Sequence, residues 1–133
     1  MKNVTKEFIG VFFGNLKKRN QRKGIVIFAR QHPGETGGSY MMQGCIDYLL
    51  GDTKEAEYLR ENCVFKIIPM LNIDGVIHGN YRCSLAGCDL NRRWKKPKKK
   101  LHPSVFALKE MIKNFSRERE IKLIVDLHGH SRK

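Results

Sequence analysis

Two short strings hold residue types that bind metal. His32 and Glu35 stand three residues apart across Pro33-Gly34, a pair that can bend the chain so that both side chains face one point. His128 lies far along the chain, just after the apolar string IKLIVDL at Ile121–Leu127. Two imidazoles and one carboxylate make a three-ligand zinc site. Such a site leaves a fourth position open for water or substrate, which marks a catalytic rather than a structural zinc. A pair of the HxxE kind also occurs by chance, so the weight rests on a matching histidine at a second strand end. His130 follows a glycine and His102 precedes a proline in a basic loop; both read as surface or outer-sphere histidines.

The elements that must position these residues are legible in the periodicity. Residues 24–30 (GIVIFAR) form an almost continuous apolar run rich in β-branched side chains, the pattern of a strand buried on both faces. Apolar residues at helical spacing predict a helix over 39–50, with Gly51 as its stop, and a shorter one over 53–61. Residues 64–70 (VFKIIPM) predict a second strand whose pairing stops near Pro69, because proline offers no backbone donor. Residues 71–94, rich in Gly, Asn and Asp, read as a long ordered loop. Val105, Leu108, Met111, Ile112 and Phe115 mark one face of a helix preceded by Pro103 and Ser104, and residues 121–127 give the third strand. Alternating strands and helices predict an α/β unit with parallel pairs and right-handed crossovers. Such sheets bind ligands beyond the carboxyl ends of their strands, and His32 and His128 stand at two of those ends.

A chain of 133 residues with 41% hydrophobic composition suits one domain or part of one. Its formal net charge of +13 points to an acidic partner. The basic residues gather at Lys17, Lys18, Arg19, Arg22 and Lys23 and again from Arg92 to Lys100, while Asp47, Asp52, Glu55, Glu57 and Glu61 lie between, which predicts a two-signed surface. Cys45, Cys63, Cys83 and Cys88 form no CxxC pair; reduced, mostly buried thiols in a cytosolic protein are expected. The apolar run at residues 8–13 is broken by Gly10 and lacks the small-residue cleavage site of a signal peptide. No stretch approaches the roughly 20 apolar residues of a membrane span.

Further strings sharpen the reading: HPGE at residues 32–35, NIDGV at 72–76, GNYRCSLAG at 79–87, DLNRRW at 89–94 and DLHGHSRK at 126–133. In this order and spacing the chain, from about Ile25 onward, resembles the cytosolic carboxypeptidase branch of the zinc carboxypeptidases. The resemblance implies that residues 1–133 are the N-terminal part of a carboxypeptidase catalytic domain, a mixed sheet with parallel strands flanked by helices. It implies zinc held by His32, Glu35 and His128, a substrate carboxylate held by Asn91 and Arg92, and an oxyanion stabilised by Arg82. A guanidinium fork suits a carboxylate, and a fixed cation beside the metal suits a tetrahedral anion. It also implies a cytoplasmic enzyme that removes C-terminal amino acids, glutamates above all, from acidic protein tails such as those of tubulin. Ile73 stands where the family has a proline. The family's general-base glutamate and its capping tyrosine lie downstream of the third ligand, whereas no acidic residue follows His128 here; this predicts a fragment, a truncated gene product or a nonfunctional relative, inactive alone.

Two rival readings remain at this level. A zinc amidohydrolase of the desuccinylase and aspartoacylase group shares the ligand layout, but GNYRCSLAG argues against it. The lysine run at residues 95–100 could serve a nucleic-acid-binding module, yet no aromatic platform accompanies it, and a solvated insertion is the preferred account.

Overall fold

The computed structural model describes residues 22–129. The apolar run at residues 8–13, the basic cluster at 17–19, His130 and the last three residues lie outside them. Three parallel strands, β1 (Lys23–Ala29), β2 (Cys63–Ile68) and β3 (Ile121–Leu127), form a sheet in the order β2-β1-β3. Helices α1 (Gly37–Leu50) and α2 (Lys54–Asn62) join β1 to β2. Between β2 and β3 lie α3 (Ile73–Ile77), a 3-10 turn (Leu90–Arg92) and α4 (Pro103–Glu118). This is the α/β arrangement expected, and every described strand is parallel to its neighbour.

The continuous apolar run of β1 follows from its central place. Val26 and Phe28 point into one cluster with Val64, Ile68, Leu90, Val105, Leu108 and Phe115, which α4 covers. Ile27 and Ala29 point into a second cluster with Met42, Leu49, Phe65 and Ile67 beneath α1 and α2. The chain steps from β1 to β2 in one direction, then crosses back over β1 to reach β3. Right-handed crossovers therefore place the two helical sets on opposite faces. The same reversal makes the gap between β1 and β3 the point where strand order switches, the place where open α/β sheets bind ligands. Register pairs Phe28 with Asp126 and Ala29 with Leu127, so the segments carrying His32 and His128 emerge level with each other. On the outer side of β3 no further strand is paired among the described residues, and Leu123 and Ile124 are half exposed.

Several boundaries differ from the periodicity reading. β1 ends at Ala29, because Arg30 adopts a left-handed φ of 54° that no strand accommodates. α4 begins at Pro103, where the fixed φ of proline suits a first helical position. Gly51 does follow α1, but at φ −67° and extended; α1 stops as the chain turns towards Thr53, whose hydroxyl accepts from Ala56 N at 3.2 Å and starts α2. The segment read as a loop holds α3 and the 3-10 turn. His102 is not a surface residue: it is buried, its Nδ1 accepts from Lys98 N at 3.0 Å, and burial pushes its pKa down. The four cysteines are free as expected, but half-buried rather than mostly buried.

Candidate metal centre and the loop around it

The segment after β1 is bent hard. Arg30, buried and left-handed, sends Nε and Nη2 to the Pro33 carbonyl at 3.1 and 2.7 Å and Nη1 to Ser39 Oγ at 2.8 Å. A non-glycine residue in that region costs on the order of 1–3 kcal/mol and persists only where its surroundings over-determine it; these three bonds do so. The turn continues with Glu35 N donating to His32 O and Thr36 N to Gly34 O, which delivers the chain to the start of α1. Gly34 is required at this bend: its N–H donates to Tyr81 O at 2.7 Å, and a Cβ there would meet that oxygen at 2.8 Å and the Tyr81 ring at 2.4 Å. From the other side, Asn72 begins α3 by accepting from Gly75 N and donates its amide to Gln31 O at 3.2 Å. The regularity of the sheet thus gives way to a turn clamped by Arg30, Tyr81 and Asn72.

This bend brings together the three side chains picked out in the sequence. Glu35 lies between two imidazoles, Oε1 at 2.8 Å from His32 Nδ1 and Oε2 at 2.8 Å from His128 Nδ1. Oε2 also accepts from Gly129 N at 2.9 Å. The two rings are 4.9 Å apart between centroids, and one donor atom from each of the three residues lies within 4.8 Å of the others. Each outer nitrogen is held by a second carboxylate: His32 Nε2 by Asp89 Oδ1 at 2.9 Å, His128 Nε2 by Asp126 Oδ2 at 2.7 Å. Asp89, His32, Glu35, His128 and Asp126 therefore form one alternating chain of carboxylates and imidazoles.

The electrostatics follow from that alternation. Burial favours the neutral form of Glu35, but the Gly129 N–H and the two imidazoles outweigh it and hold the carboxyl below its usual value. Asp89 is likewise lowered, burial being outweighed by His32, the Asn91 N–H and Arg82. Burial dominates at Asp126 and raises its carboxyl, despite His128. For His128 itself burial pulls down, while Asp126 and Glu35 together lift the imidazolium above its ordinary value. The donor set suits zinc: two Nδ1 atoms and a carboxylate face one another, with the outer nitrogens already held by carboxylates that fix tautomer and ring orientation.

The arginine and asparagine singled out in the sequence sit on the loop that supplies Asp89. Arg82 sends Nε and Nη2 to Asp89 Oδ2 at 2.9 and 2.8 Å, which ties its half-exposed guanidinium to the carboxylate holding His32. Asp89 also caps the 3-10 turn, accepting from Asn91 N at 2.9 Å. Leu90, between them, is 1% exposed in the α4-side core. Asn91 is half-buried and Arg92 exposed at the end of that turn. Four residues given no role in the sequence reading belong to the site: Asp89, Asp126, Gln31 and Trp94. For the two aspartates the signal was a carboxylate two residues before Asn91 and another two before His128, a pattern meaningful only once the outer histidine nitrogens are seen; Gln31 and Trp94 gave none.

The zinc carboxypeptidase family profile matches residues 4–132, beginning ahead of the segment in which the sequence strings were recognised. Cytosolic carboxypeptidase 2 of Xenopus tropicalis is 51% identical over 119 residues, covering 90% of this chain and 12% of the relative. Cytosolic carboxypeptidase 3 of Mus musculus is 53% identical over 114 residues, covering 86% and 11%. The chain thus spans about an eighth of the length of these relatives. Among solved structures, a metallo-carboxypeptidase from Burkholderia cenocepacia superposes with a TM-score of 0.75 at 34% identity, covering 82% of this chain and 29% of that one. A metallo-carboxypeptidase from Pseudomonas aeruginosa superposes with a TM-score of 0.78 at 27% identity, covering 96% and 36%. Among the described residues no helix is long and apolar enough to cross a membrane. A match over nearly the whole chain, joined to a fold that sets two histidines and a glutamate at its switch point, makes this chain a member of the zinc carboxypeptidase family.

Proposed function

We propose that this chain supplies the metal-binding and carboxylate-recognition side of a carboxypeptidase that trims C-terminal residues, glutamates in particular, from acidic protein tails in the cytoplasm. The observation that carries the reading is the meeting of His32, Glu35 and His128 beside Arg82, with Asn91 and Arg92 on the same short loop. His32, Glu35 and His128 are the proposed zinc ligands. Bound there, zinc supplies Lewis-acid polarisation of a carbonyl and a lowered pKa for water.

The protein's own groups divide the remaining work. Arg82, anchored by Asp89, offers a fixed cation where negative charge develops on the scissile carbonyl oxygen. Arg92, whose guanidinium has no carboxylate partner among the described residues, and the amide of Asn91 hold the free C-terminal carboxylate of the substrate. Glu35, Asp89 and Asp126 are each engaged by an imidazole, so none of the three is given the water-activating role. Acidic tails are favoured by charge placement. Seven of the nine residues from Arg92 to Lys100 are Lys or Arg, and all seven are exposed. The acidic residues Asp47, Asp52, Glu55, Glu57 and Glu61 are exposed too, but on and beside α1 and α2, which cover the opposite face of the sheet. A negatively charged tail is drawn to the first surface and repelled from the second.

The test is binding of a peptide ending in several glutamates to the zinc-loaded protein, compared with the same peptide amidated at its C-terminus. The free acid should bind more tightly, Arg92→Ala should erase that preference, and added salt should weaken both peptides. Equal affinity for acid and amide in the unmodified protein would sink the assignment of Asn91 and Arg92. Salt-independent binding would remove the electrostatic account of acidic tails.

A further inference from the structure

Gln31 is fully buried beside the proposed ligands, and nothing in the roles assigned so far uses its side chain. Its amide makes two directed bonds. Oε1 accepts from Trp94 Nε1 at 2.7 Å, and Nε2 donates to Asp126 Oδ2 at 2.8 Å. The orientation of the amide is dictated by chemistry, since an indole N–H can only donate and must therefore face the oxygen. That turns the NH2 group towards Asp126. The same Asp126 oxygen holds His128 Nε2 at 2.7 Å, while Asp126 Oδ1 is buried without a partner. Gln31 Nε2 and His128 Nε2 stand 3.3 Å apart and converge on Oδ2 as two donors. A half-buried carboxylate whose enclosed oxygen has no partner depends heavily on the donors that its other oxygen has.

Trp94 is itself fixed from two sides. Its ring packs on Phe28 of β1 at a centroid distance of 5.6 Å, and Lys109 of α4 donates to its carbonyl at 2.8 Å. The geometry points to Gln31 as a positioning residue that, braced by Trp94, aims the Asp126 carboxylate and thereby keeps His128 protonated on Nε2 with Nδ1 turned to the metal. The inference rests on His128 being a zinc ligand. Partners that hold the outer nitrogen of a ligand histidine are typically worth about 10–100-fold in metal affinity, and Gln31 acts one bond further out, through Asp126.

Zinc affinity is measured by competition with a chromophoric chelator for the unmodified protein and for Gln31→Met, Trp94→Phe, Asp126→Asn and His128→Ala, each checked for folding by thermal denaturation without metal. Gln31→Met keeps the shape of the side chain and removes both bonds; Trp94→Phe keeps the ring on Phe28 and removes only the indole donor. The expected result is a loss of about tenfold or more in Gln31→Met, a smaller loss in Trp94→Phe and a larger one in Asp126→Asn. In the metal-free protein the His128 Nε2 proton, followed by nitrogen-edited NMR, should exchange faster in Gln31→Met and Trp94→Phe. If folded Gln31→Met and Trp94→Phe bind zinc as tightly as the unmodified protein while His128→Ala does not, the positioning role is overturned and the ligand assignment stands. If His128→Ala also binds normally, the ligand assignment fails first. Should Gln31→Met not fold, Trp94→Phe decides alone: unchanged affinity and proton exchange overturn the role.

Discussion

Arg82 and Asp89 form a two-bond ion pair, Nε and Nη2 both on Oδ2, while the other oxygen of Asp89 holds His32 Nε2. One carboxylate thus couples the cation proposed to face the substrate with the histidine proposed to face the metal. Neutralising it should disturb both. Asp89→Asn is expected to lower zinc affinity by about 10–100-fold, through loss of the charged partner of His32. It should also free the Arg82 side chain. Chelator competition reads the first effect, and NMR exchange of the Arg82 Nε proton reads the second. Unchanged zinc affinity with a freely exchanging Arg82 would show that Asp89 serves the arginine alone.

The loop that carries these groups is pinned to the core by Leu90, with Trp94 packed on the same cluster. Leu90 sits between Asp89 and Asn91 with its side chain in the cluster of Val26, Phe28 and Val105. Leu90→Ala should destabilise the fold by roughly 2–5 kcal/mol, the range for emptying a buried leucine site. Because the cavity opens beneath the 3-10 turn, the free-acid preference of peptide binding should fall as well. Chemical denaturation and the acid-against-amide comparison test the two parts separately.

Acid should weaken the metal-free protein. Glu35 and Asp89 have folded pKa values below the ordinary 4.5 and 3.8, so their contribution is complete above those values and is lost as the pH falls through the lowered ones. Asp126 and His128 are raised, and their contributions are lost in the opposite direction, as the pH rises through their folded values. Glu35→Gln should therefore flatten the acid limb of a stability-against-pH curve measured in chelator. An acid limb of the same slope in that variant would mean that Glu35 is not responsible for it.

The primary structure alone pointed to the three strands, to α1, α2 and α4, and to the three candidate metal ligands, but not to α3 or the 3-10 turn. A strand buried on both faces must be apolar throughout, so residues 24–30 and 64–70 declared themselves by composition. Metal-binding side chains placed just after such strands were equally visible, because chain position and side-chain chemistry are local properties. What the tertiary structure decided was every partnership across the chain. That Asp89 holds His32 across 57 residues, or that Gln31 reaches Asp126 across 95, depends on the β2-β1-β3 order and its register, which no spacing encodes. His102 misled for the same reason: a histidine before a proline among lysines reads as exposed, yet α4 packs against the sheet and draws its first residue's neighbour into the interior. The strained φ of Arg30 was likewise invisible. It is stabilised by the Pro33 carbonyl and Ser39, contacts that exist only after the turn has closed.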